Sequence, residues 1–87
     1  MSEQDEHHDK SFTLIVNIEK KKWDAEKISY EQVTHLAFPN PPPGVEITYT
    51  VEYERGPKEN REGSLTKGHS VYVKNQMVFN VTETGRS

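Results

Sequence analysis

The chain has no cysteine. A disulfide framework, a thiol nucleophile and a cysteine-ligated zinc site are thereby excluded, and cytosolic (cytoplasmic) residence fits. Long hydrophobic runs are missing too. No apolar stretch reaches ten residues and no secretory pattern opens the chain, which argues against membrane attachment. Concentrated positive charge is also absent. The net charge of −3 sits in "MSEQDEHHDK", with four acids and one lysine, whereas residues 11 to 87 hold ten acids and ten bases. A neutral body without a Lys/Arg stripe argues against nucleic acid, whose phosphates reward clustered cations. At 87 residues the chain forms one domain, without room for a buried catalytic cleft and a second lobe.

What is present is clustered. Leu, Ile, Val and Phe make up only 18 of the 87 residues, yet they fall into periodic groups. Residues 1–10 lack periodicity and are predicted to be a disordered acidic arm. In "SFTLIVNIE", Phe12, Leu14, Val16 and Ile18 alternate with Thr13, Ile15, Asn17 and Glu19, the period-2 pattern of a half-buried strand. The lysines of "KKKWDAEK" read as a hairpin turn into a short strand around Trp23. "ISYEQVTHLAF" carries the strongest local signal. Ser29 and Gln32 form a capping box, Ile28 and Val33 a hydrophobic staple, and Tyr30, Val33, Leu36 and Ala37 one apolar face. Pro39 requires that this helix end by Phe38.

"VEITYTVEYER" is predicted to be the longest strand, with Ile47, Tyr49, Val51 and Tyr53 on one face and Thr48, Thr50, Glu52 and Glu54 on the other. "GPKENREG" reads as a charged loop, Lys67 to Ser70 as a turn, Val71 to Val73 as a short strand, and "MVFNVT" as the last strand. The order strand, strand, helix, strand, strand, strand, with one helix covering a mixed sheet of four or five strands, is an α+β, β-grasp arrangement. The domain is set at residues 11–82, with a flexible tail over 83–87.

Several motifs reduce to plainer readings. His7 and His8 lie in the arm, and His35 and His69 are scattered, so no zinc site is drawn from them. The PxxP spacing within Pro39 to Pro43 reads as a stiff loop. Glu52 and Glu54 share one solvated strand face, which does not give them the two different environments that acid/base catalysis requires. No catalytic constellation emerges, so no enzyme is expected.

The segments "ISYEQVTHLAFPNPPPG", "YTVEYERGP" and "EGSLTKGHSVYVKNQMVFNVT" together resemble the bacterial multiubiquitin-domain family of ubiquitin-like proteins. The resemblance implies a ubiquitin-like β-grasp domain, a protein modifier that is acted upon by proteins resembling ubiquitin-activating enzymes, conjugating enzymes and deubiquitinating metallopeptidases. Where members of that family tend to finish with an acidic residue, a base and serine, this chain has "TGRS". Gly85 departs from that ending and reads either as a chance substitution in an inert tail or as the conjugation end, exposed by removal of Arg86 and Ser87. Glycine suits that role because a residue without Cβ permits close backbone approach. Ile15, Tyr72 and Val78 form the expected recognition patch on the exposed sheet face. The alternative is a β-grasp interaction or self-assembly module that is never conjugated and joins copies by β-strand addition.

Overall fold

The computed structural model describes residues 11–86, and of Arg86 the backbone alone. The acidic arm with His7 and His8, and Ser87, lie outside the described residues. Seven strands and one α-helix follow in the order β1 (Phe12–Val16), β2 (Glu19–Trp23), β3 (Lys27–Ser29), α1 (Tyr30–Ala37), β4 (Ile47–Glu54), β5 (Gly63–Leu65), β6 (Ser70–Tyr72) and β7 (Met77–Arg86). Five strands make the main sheet in the order β2-β1-β7-β4-β5, and β3 pairs with β6 in a separate ribbon. β1 and β7 are parallel and the other neighbours antiparallel. This is the β-grasp expected from the element order. Among the described residues, no helix is long and apolar enough to cross a membrane.

The helix forms for the local reasons its sequence carries. Ser29 accepts from the Gln32 amide at 3.1 Å, and the Gln32 side chain accepts from the Ser29 amide at 2.8 Å, so both donors are satisfied reciprocally. Ile28 and Val33, the staple pair, are fully buried. Their burial sets α1 against the sheet face formed by Leu14, Val16, Val51, Met77, Phe79 and Val81, all in the core. Among the described residues, the opposite face carries no helix.

Three expectations are corrected. The alternation of the first strand ends at Val16, because Asn17 (φ 50°) and Ile18 (φ 66°) form a two-residue left-handed turn that pairs Val16 with Glu19. Ile18 therefore sits at the hairpin tip, 92% exposed rather than in the core, and Lys20, Lys21 and Lys22 belong to β2 rather than to the turn. Two further strands, β3 and β5, appear where none was expected. Each has only three residues, too few to display a period, and each depends on a partner distant in sequence. Finally, β7 continues to Arg86 instead of ending at Thr82. Its outer residues are held by pairing with β4, a long-range cause that the local pattern "TETGR" does not announce.

Side chains complete the sheet where strands are missing. The Asn17 amide donates to the Val81 carbonyl at 3.1 Å and accepts from the Val81 N–H at 2.8 Å, standing in for a β1 residue beyond the strand's end. The Tyr30 hydroxyl accepts from the Tyr49 N–H at 3.0 Å and donates to the Tyr49 carbonyl at 3.3 Å. Asn60 brackets Tyr72 in the same way, at 2.9 and 3.1 Å. Edge groups satisfied in this manner are withdrawn from pairing with other chains.

Asn17→Ala is expected to lower unfolding free energy by about 2 kcal/mol, since it removes two part-buried hydrogen bonds and a residue tolerant of positive φ. Urea denaturation followed by Trp23 fluorescence measures it; a change below about 0.5 kcal/mol would contradict the bridging role. Tyr30→Phe is expected to cost about 1–2 kcal/mol with little change in packing, by leaving both polar groups of Tyr49 without the hydroxyl. Faster amide exchange at Tyr49 than at its neighbours would accompany it.

Candidate functional site

β7 has two halves with different surroundings. Its first half lies between two strands: Met77, Val78 and Phe79 pair with Leu14, Ile15 and Val16 of β1, and Val78 to Val81 pair with β4 on the other side. Beyond the Asn17 bridge at Val81, the strand outruns β1. There, within the sheet, it pairs with β4 alone, Glu83 facing Tyr49, Gly85 facing Thr48 and Arg86 facing Ile47. A register irregularity falls between Thr48 and Tyr49, leaving Thr84 without a paired position; its hydroxyl donates to the Thr48 carbonyl at 3.1 Å.

Gly85 occupies this outer half without a structural need for glycine. A Cβ built at Gly85 meets nothing within 4 Å, and its φ lies outside the left-handed range. Gly56 offers the contrast. A Cβ there would run into the Asn60 carbonyl, so the fold itself demands glycine at that turn. Glycine is a poor strand residue on both entropic and packing grounds. At Gly85 nothing in the fold compensates for that.

Of the recognition patch, the structure joins two residues and separates the third. Ile15 and Val78 stand directly opposite each other in the β1–β7 register on the uncovered face, both half-buried. Tyr72 lies on β6 in the separate ribbon, 42% exposed, with Lys27 Nζ 4.8 Å above its ring. The expectation failed at Tyr72 because the strand containing it joins β3 instead of the main sheet. Val71, the neighbour facing the core, gave the correct alternation but not the strand's partner.

The remaining motifs take their places. Phe38 stacks on Tyr49 with centroids 5.3 Å apart at 14°, which fastens the proline loop to β4. Glu52 and Glu54 are exposed on the uncovered face. Among the described residues, no group of three His, Asp or Glu side chains is arranged to hold a metal ion. Sequence reasoning missed Asn17 and Asn60 as bridging residues. An Asn at the first position of a two-residue hairpin turn, where asparagine favours positive φ, was the available signal for the first; the second depends on a contact spanning twelve positions.

Neither the curated proteins nor the solved structures offer a match to this chain. The family model described as Multiubiquitin matches residues 12–85, from the first strand to the glycine of the last. With the β-grasp topology and a match over most of its length, the chain belongs to the multiubiquitin family.

Proposed function

We propose that this chain is a bacterial ubiquitin-like protein modifier, a substrate and tag rather than a catalyst, activated at the carboxylate of Gly85 in the cytoplasm. The observation that carries the reading is a glycine the fold does not require, near the end of a strand that outruns its neighbour. Two steps are needed. A metallopeptidase first adds water across the Gly85–Arg86 amide, releasing the segment that begins with Arg86 and Ser87 with a free amine and leaving a free carboxylate on Gly85. An activating enzyme then forms the acyl adenylate from ATP with loss of pyrophosphate. A thiolate displaces AMP to give a thioester, and a target lysine amine displaces the thiolate to give an amide.

Delivery requires the outer half of β7 to leave β4. Thr82 to Gly85, released up to Val81, reach roughly 13 Å at about 3.3 Å per residue. The contacts to be broken are few and lie at the periphery, each worth about 1 kcal/mol. A glycine lowers that cost because it contributes no side-chain packing to the pair with Thr48.

The test is incubation with cognate activating and conjugating enzymes, peptidase and ATP, followed by intact-mass analysis. An ATP-dependent adduct from the wild-type chain and none from Gly85→Ala is expected. Unchanged mass under all conditions would contradict the proposal. That Gly85 and Arg86 are paired with β4 favours a second reading, an interaction module whose tail never leaves the sheet. It requires partner binding that is unaffected by locking β7 to β4 through an engineered disulfide.

A further inference from the structure

One row of residues crosses the uncovered face of four adjacent strands. Lys20 on β2 stands opposite Ile15 on β1, Ile15 opposite Val78 on β7, and Val78 opposite Glu54 on β4. The two outer residues are exposed and the two inner ones half-buried. Read across the sheet, the row runs cation, apolar, apolar, anion. Its charges are separated by two strands, so Lys20 and Glu54 have no way to pair within their own row.

The flanking residues extend the same division. Lys22 lies on the same face as Lys20, opposite Thr13. At the other edge, Glu52, Glu54 and Glu62 border a hollow of about 350 Å³ between β4 and β5. By contrast, Lys21 points to the helix side of the sheet and forms a salt bridge with Glu19 at 3.2 Å. The uncovered lysines and the acidic hollow thus occupy opposite edges, with Ile15 and Val78 between them.

We infer that this face is a self-association surface, and that its occupant is a second copy of the same chain packed sheet to sheet. A two-fold axis parallel to the strands, passing between β1 and β7, carries β2 over β4 and β1 over β7. It sets Lys20 against the copy's Glu54 and Ile15 against the copy's Val78, and symmetry repeats both contacts. An axis perpendicular to the strands instead sets Lys20 against Lys20, so the charge pattern selects one arrangement and rejects the other. Aligned sheets pack about 10 Å apart with a rotation of roughly 30°. The long lysine stem accommodates that rotation while its ammonium reaches the acidic hollow.

This surface is independent of the tail, because Gly85 lies outside the row. The resulting dimer covers Ile15 and Val78, so any partner that reads the apolar pair competes with self-association. The charged contacts are peripheral and exposed, which makes the dimer weak and sensitive to salt.

Sedimentation velocity of the full chain over a concentration series at low ionic strength tests the inference. A dimer that dissociates in about 1 M salt, where the screening length falls to about 3 Å, is expected. Lys20→Glu and Glu54→Lys should each weaken it at least about tenfold, while the double variant, which reverses the row, should restore it. Gly85→Ala should leave it unchanged. All substituted residues of the row are exposed, and circular dichroism verifies folding of each variant. A wild-type chain that remains monomeric throughout, or a double variant as weak as the single ones, would overturn the inference.

Discussion

Phe79→Ala is expected to remove about 3–5 kcal/mol of stability, the largest effect of any single substitution considered. Phe79 is fully buried and is the largest of the fully buried side chains. It lies on the central strand, opposite Val16 on one side and Tyr53 on the other, with its ring 6.2 Å from that of Tyr53 at 48°. Its main chain is engaged as well, since its carbonyl accepts from the Asn17 N–H at 3.0 Å. Truncation therefore opens a cavity at the junction of β1, β7 and β4, where the surrounding strands are hydrogen-bonded on both sides and cannot collapse inward. A domain of this size has about 5–10 kcal/mol in all, so the variant should be near its unfolding midpoint at 37 °C. Phe79→Leu, which keeps most of the volume, should cost only about 1–1.5 kcal/mol. Urea titrations of the three proteins measure both numbers. Equal losses for Ala and Leu would show that the cavity is not the cause.

Gly85→Ala is expected to separate stability from function completely. On stability it should be neutral or favourable by up to about 1 kcal/mol: the added methyl meets nothing, and alanine loses less backbone entropy on entering a strand. On activation it should be severe. Under the proposed mechanism, a Cβ beside the reacting carboxylate changes its approach to the activating enzyme, where a displacement of about 1 Å costs about a hundredfold in rate. A thermal melt and a thioester-formation rate, measured on one preparation, decide the matter. A variant that is destabilised, or one that forms thioester at the wild-type rate, would assign Gly85 a structural role or none. The same substitution at Gly56 has no such selectivity, because there the Asn60 carbonyl occupies the space.

These contrasts mark what was legible in the sequence and what was not. The helix could be read to the residue because its determinants are local: the Ser29–Gln32 box, the Ile28–Val33 staple and the Pro39 stop all act within one or two turns. The alternating faces of β4 and of the first half of β7 were likewise legible from period alone. What escaped was pairing. Three-residue strands such as β3 and β5 have no period to display, and they exist because β6 and β4 hold them. The placement of Tyr72 and the extension of β7 to Arg86 are also consequences of partners far along the chain. At Ile18 an apolar residue continued the pattern into a turn, and the left-handed geometry of the hairpin took precedence over burial of one side chain.

The same division applies to the candidate surfaces. Ile15 and Val78 were each identifiable as outward-facing, but their direct opposition required the parallel β1–β7 register. Gly85 was visible as a glycine near the terminus. That the strand has room for a side chain there depends on the pairing of β7 with β4, which no local motif announces. The row from Lys20 to Glu54 joins four strands drawn from separate parts of the chain, and no local motif encodes it.

The most direct test of the central claim is the chemical identity of the bond made by the tail. After reaction with the cognate enzymes and ATP, tandem mass spectrometry of the digested adduct should locate an amide between the Gly85 carbonyl and a lysine Nζ of the target, with Arg86 and Ser87 absent. A linkage through Ser87 with the last two residues retained, or recovery of only the intact, unlinked chain, would contradict the account.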